Sequence, residues 1–314
     1  VDPLMLEFLV NWLAGVPVTA LPYALAALGL IVCERSGVLN LTAEGLMLVG
    51  ALTGIATCLE IGDHPVVALG VAMVAASVVS LLFALMVVVL RVNQVISGLA
   101  VAFFCHGLTG LIGVVTGWQN KPVPGMRPLS FGPLSDIPVL GRVLFSQDVL
   151  VYLTIPIFIA VSFALRNSMV GLKLRAVGEN PAAADAAGVP VALYRIGAIV
   201  AGSALVGLAG AYISVAGVKI WFTGMTSGRG WIAIALVIFA RWAPWPALGG
   251  ALLFGCIEAV IPHIAAAGIK VPQYIVLMTP YLATIAVMIW VGITRGTGGE
   301  PGALGQPHVR EERR

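Results

Sequence analysis

The sequence predicts an all-α fold, a polytopic membrane bundle of about nine or ten spanning helices, on three observations. Of its 314 residues 60% are hydrophobic and only 10% charged, where soluble domains carry roughly 25% charged residues. Residues 65–90 supply 26 consecutive positions without a formal charge, more than the roughly 20 that cross a hydrocarbon core of about 30 Å. The apolar segments are continuous, without the alternation of a transmembrane barrel strand.

Taken in order, the runs long enough to span lie at 17–33, 43–60, 65–90, 95–117, 149–165, 196–216, 230–243, 246–262 and 273–291. Residues 4–14 are apolar but too short to cross alone. Pro17 and Pro22 follow them, so this piece reads as a short or re-entrant segment or as a tenth span. The first basic residue is Arg35, so no secretory n-region is visible and the N-terminus is expected to be retained. Orientation follows from lysine and arginine placement. With 166–195 in the cytoplasm, eleven of the 17 basic residues fall inside, including Arg35, Arg91, Arg166 and Arg241, and the C-terminus is cytoplasmic. The net charge of +3 then belongs to cytoplasmic loops facing a lipid bilayer and gives no reason to expect nucleic acid.

The chain divides into a transmembrane domain, 1–293, and a tail, 294–314, whose Gly, Pro and charge predict disorder. Two polar stretches interrupt the membrane pattern. Residues 118–148 hold prolines at 122, 124, 128, 133 and 138 and form an external loop, either a cap on the outer face or a docking surface for an external partner. Residues 166–195 contain a helix of about two turns: Asn180 is the N-cap, Pro181 takes the first position, alanines follow, and Gly188 suits the residue after the end. So short a helix is unstable alone and leans on something. It is a docking element or a connector between spans.

Polar residues near hydrocarbon are costly, at about 2.5–3.5 kcal/mol per charge at a helix centre. Residues 34–45 gather Glu34, Arg35, Asn40, Thr42 and Glu44 around two glycines, so an interrupted helix beside a pathway is expected, with interhelical hydrogen bonding as the alternative. A second interruption covers 226–231. Ser36-Gly37 and Ser227-Gly228 each precede an apolar helix from opposite faces, as an inverted repeat would give. Glu258 needs a partner, and Arg229, Arg241 and a backbone site all qualify. His106 reads as a packed histidine, and Cys33, Cys58, Cys105 and Cys256 as buried small hydrophobes without metal-ligand spacing. In the sixth span small residues recur four apart, at 198/202, 203/207 and 207/211, which permits close helix packing within the chain or against a second copy. No catalytic constellation is visible, and no metal site. None of the lysines at 121, 173, 219 and 270 precedes Ser or Thr, so the chain has no phosphate loop of its own.

Three segments, ERSGVLNLTAEGLMLVGA (34–51), GLKLRAVGENPAAADAAGV (171–189) and SGRGWIAIALVIFARWAP (227–244), resemble in order and separation the inner-membrane permeases of bacterial ABC importers. The branch is that of branched-chain amino acids, ribose and simple sugars, nearest the nucleoside group with basic-membrane-protein-type receptors. Ala240 stands where Gly is commoner, and Thr42-Ala43 replaces a more apolar pair. The resemblance implies a non-enzymatic permease in the bacterial plasma membrane for a nucleoside or simple sugar, with branched-chain amino acids as an alternative. ATP and Mg would bind on separate ABC ATPase subunits, with no cofactor on this chain. A second paralogous permease or second copy, and an external substrate-binding lipoprotein, would complete the assembly. It further implies that Arg175, Gly178, Glu179, Asn180, Pro181, Asp185 and Gly188 couple to the ATPase, and that Asn40, Thr42, Glu44, Arg229 and Trp231 lie along the translocation path. Trp221, Phe222 and Trp231 could stack on a base or serve as interfacial aromatics. An ATP-independent secondary transporter, with Glu44 and Glu258 as proton carriers, is the reading from another class.

Overall fold

The computed structural model describes residues 3–62, 64–135, 137, 139–266, 278–279, 281–286, 289, 293 and 299–308. Apolar composition over whole turns gives helices throughout: α1 Pro3–Glu34, α2 Ala43–Glu60, α3 Pro65–Ala84, α4 Gln94–Val115, α5 Leu140–Leu144, α6 Val149–Asn167, α7 Met169–Glu179, α8 Pro181–Ala186, α9 Val191–Tyr212, α10 Arg229–Phe239 and α11 Pro244–Ala266. Single π-helical stretches, Leu85–Val89 and Ile213–Val218, prolong α3 and α9. Seven of these helices are long and apolar enough to cross a membrane, and α10 is a shorter apolar helix. The span expected at 273–291 lies largely outside the described residues.

Three expectations change. Residues 4–14 are no separate segment, because α1 runs unbroken through Pro17 and Pro22. A spanning helix accepts proline where neighbours satisfy the freed carbonyls, and α1 is flanked by α9 and α11 along much of its length. The connection at 166–195 is shorter than expected: α6 extends to Asn167, α7 fills 169–179 behind its N-cap Ser168, and α9 begins at Val191. Arg195 therefore sits inside α9, 2% exposed. Finally, residues 299–308 of the tail are docked on the bundle rather than disordered, with Ala303 buried. Backbone hydrogen bonding explains this, since the segment offers N–H and C=O groups to partners that lack them within their helices.

The central packing is antiparallel. Helix α1 lies against α9, α3 packs on α9, and α11 packs on α1, the exchange of partners that an inverted repeat produces. Small residues permit it. A Cβ on Gly29 would strike the Gly202 carbonyl and one on Gly202 the Gly29 carbonyl, while Gly50 meets Gly207 and Gly210 meets Met47. The small-residue spacing in the sixth span thus serves packing inside this chain. At one end, residues 120–126 lie along 215–221, the stretch that follows α9, through Asn120 N–H to Trp221 O (2.8 Å) and Met126 N–H to Val215 O (3.1 Å). At the other, basic end stand Arg35, α7 and α8, and the tail.

Candidate functional site

Two breaks in the helical pattern meet inside the bundle. In the first, residues 35–42, the Asn40 carboxamide oxygen accepts from Thr42 N–H (3.0 Å) and Thr42 Oγ1 (2.6 Å), turning the chain into α2. Both side chains are buried, at 1% and 0% exposed. Glu44 then projects from the first turn of α2. Its Oε1 accepts from Thr226 Oγ1 (2.6 Å) and Gly228 N–H (2.8 Å), and its Oε2 from Gly230 N–H (2.7 Å). These donors are the N-terminus of α10, where unpaired N–H groups and the helix dipole favour an anion. The glycines are required: Gly228 has φ +83°, and a Cβ on Gly230 would collide with the Glu44 backbone. The carboxylate of one broken helix caps the other.

One residue further, Arg229 joins Glu258 of α11 in a salt bridge, with 23% and 20% of the side chains exposed. Tyr23 of α1 donates to the other Glu258 oxygen at 2.8 Å, and Arg229 Nη1 also donates to Met225 O at 3.2 Å. Of the partners open to Glu258, Arg229 is the one realised. Helix α10 then runs from Glu44 toward the basic end, where Arg35 Nε donates to Trp242 O (3.1 Å) and the Trp242 indole to Glu34. Burial lowers the pKa of Arg35, an effect that Glu179 opposes.

Of the expected path residues, Glu44, Arg229 and Trp231 are half-buried around this junction, whereas Asn40 and Thr42 are enclosed and serve the turn. Trp221 is 0% exposed and fills the space over Gly113 of α4, so it is no stacking platform. His106, expected to be packed, is exposed on α4, and so are Thr223 and Ser227. Its neighbour Cys105 is the buried one. Helical spacing alone gave no signal for which of the two faces inward, because α4 is apolar on nearly every side.

At the basic end the expected caps form. The Asn180 side chain accepts from Ala183 N–H (3.0 Å), Pro181 opens α8, and Gly188 follows it with φ +81°. Glu179, Asn180 and Gly188 are exposed, Arg175, Pro181 and Asp185 are half-buried, and Gly178 is buried. A Cβ on Gly178 would strike the Arg35 carbonyl, so α7 rests directly on the first break. The tail was missed by sequence reading. Ala303 N–H donates to Gly178 O (2.9 Å), Gly302 N–H to Glu179 Oε2 (3.2 Å) and Gly305 N–H to Gly37 O (3.3 Å). The Gln306 carbonyl accepts from Arg195 Nη1 (3.1 Å) and Gln94 Nε2 (3.4 Å).

Residues 12–291 match the family described as branched-chain amino acid transport system, permease component. The chain belongs to this permease family. Among its relatives, a candidate glucose ABC transporter permease of Haloferax volcanii is 37% identical, covering 91% of this chain and 94% of that protein. The guanosine ABC transporter permease NupQ of Bacillus subtilis is 35% identical over 94% of this chain and 95% of its own. A nucleoside ABC transporter permease, NupC of Lactococcus lactis, is 29% identical over 88% and 90%. The permease therefore shares nearly its whole length with these transporters, both helix breaks and the α7–α8 connection included.

Proposed function

We propose that this permease forms half of the conduit of an ABC importer for a nucleoside or simple sugar. A second permease supplies the other half, ABC ATPase subunits engage the basic end from the cytoplasm, and an external binding protein delivers the solute. The observation that carries the coupling role is α8. It is a short, doubly capped helix whose alanines at 182, 183, 186 and 187 are exposed. Just before it, buried Gly178 rests on the Arg35–Gly37 backbone and thus on the helix break that leads to Glu44. Force applied to α8 by an ATPase has a rigid, hydrogen-bonded route into the bundle, which is the physical content of coupling. The chain's lysines lack a phosphate-loop context, consistent with hydrolysis on another subunit. The names of the relatives support the solute class.

The alternative of a proton-coupled carrier is disfavoured because both intramembrane glutamates are engaged: Glu44 accepts three hydrogen bonds, and Glu258 is held by Arg229 and Tyr23. The decisive experiment is purification of the complex and measurement of substrate-stimulated ATPase activity. Glu179→Arg places a cation on the exposed rim of α8, and Gly188→Pro demands a negative φ where the backbone is at +81°. Each is expected to abolish stimulation while the permease remains folded in the membrane. Full stimulation in both variants overturns the coupling role.

A further inference from the structure

Residues 219–228 descend along α4 in a fixed ladder. Trp221 covers Gly113, Thr223 lies at Gly110 with its methyl 3.5 Å from where a Cβ would stand, and His106 Cε1 stands equally close to the corresponding position on Gly224. Below them Glu44 holds Thr226 and Gly228, and Gly45 packs on Ala102. His106 is the thirteenth of 22 residues in α4, so at 1.5 Å per residue it lies about 18 Å along the helix, near mid-depth. There its side chain is exposed against Gly224, the neighbour of exposed Thr223, and next to it Gly107 opens on empty space. Hydrocarbon tolerates neither arrangement. Non-helical backbone at membrane depth must be covered by protein or line a water-filled cavity, and an ionisable side chain there faces a cavity or a polar partner.

We propose that His106, with the Thr223 hydroxyl, is a substrate-contacting station on the water-filled face of the conduit, reading the hydroxyl groups of a neutral polyhydroxylated solute. Neutral imidazole offers one donor and one acceptor, and the hydroxyl offers both, so the two groups match vicinal sugar hydroxyls without requiring a charge on the solute. The opposite edge of the exposed arc of α4, carrying Phe104 at 52% exposed, is purely apolar and belongs to lipid or a packed partner. The station rests on the importer reading above.

The test uses the complete importer in membranes. A membrane-impermeant sulfonated methanethiosulfonate reagent should modify His106→Cys much faster than Phe104→Cys or the unsubstituted chain, and guanosine or glucose should slow it. His106→Leu, at normal membrane abundance, should raise the KM for uptake by about tenfold, the worth of one hydrogen bond lost from a dry contact, and His106→Gln should restore most of it. Labelling of His106→Cys no faster than Phe104→Cys, or an unchanged KM in His106→Leu, overturns the station. Failure of the wild-type complex to take up either solute on ATP overturns the importer reading instead, since water access at His106→Cys is read without transport.

Discussion

The two helix breaks use the same device in opposite ways. At 35–42 the chain is sealed: Ser36, Val38, Asn40 and Thr42 are buried, and Asn40 and Thr42 bond to each other. At 219–228 the chain is half open: Trp221 and Thr226 are buried, but Thr223 and Ser227 are exposed, and His106 stands against Gly224 between them. Glu44 belongs to the first break and holds the second. On the proposal above, the first break anchors and the second meets the solute, and the Glu44 carboxylate ties the two together.

The sharpest way to break that link is Glu44→Leu. It removes the acceptor of three donors at once, each a bond to a charged group worth about 1.5–3 kcal/mol. Loss of more than about 3 kcal/mol is expected, enough to deplete folded protein. The measurement is recovery of monodisperse protein and its thermal midpoint in detergent, and a midpoint within a degree or two of wild type would separate the two breaks energetically. Next in size is Arg229→Met, which leaves Glu258 with Tyr23 alone. Because about a fifth of each side chain is exposed, the cost should fall to about 2 kcal/mol, below the roughly 3–5 of a fully buried pair. The double variant Arg229→Met/Glu258→Leu should be less damaging than Arg229→Met. A double-mutant cycle of melting temperatures checks the sign.

These residues also show what was legible in the sequence. The helical bundle was readable because hydropathy acts locally, and α8 because its caps are a three-residue chemistry: Asn180, Pro181, Gly188. The Ser-Gly pairs before two helices anticipated the two breaks. What escaped was tertiary. Nothing local joins residues 4–14 to the span at 17–33, chooses Arg229 over Arg241 for Glu258, or turns His106 outward and Trp221 inward. The tail read as disordered because its composition offers little to bury, yet it binds through main-chain groups that composition does not encode.

A smaller effect distinguishes the walls of the open break. Gly113→Ala puts a methyl into the Trp221 ring and should displace the segment at a cost of about 1–3 kcal/mol. Gly107→Ala, on the same helix with nothing within 4 Å, should change stability by no more than about 0.5 kcal/mol. Equal melting temperatures for the two would mean that the 219–228 segment does not lean on α4.

A modest effect on stability, and the cleanest separation of the two breaks, is expected from truncation after residue 298. The tail touches the sealed break through Gly37 and the end of α7 through Gly178 and Glu179, and it supplies the Gln306 carbonyl to Arg195. No hydrogen bond among the described residues links it to 219–228. Its removal leaves Arg195, 2% exposed in α9, without that acceptor, at a cost of about 1–2 kcal/mol that newly admitted water reduces. Thermal shift should therefore be modest, and thiol labelling of His106→Cys in the truncated chain should match that in the full chain. Substrate-stimulated ATPase activity should nevertheless fall, because α7 loses a support that fixes it to the first break and keeps the Gly178–Arg35 backbone contact. Altered labelling at His106→Cys with intact stimulation would reverse the roles assigned to the two breaks.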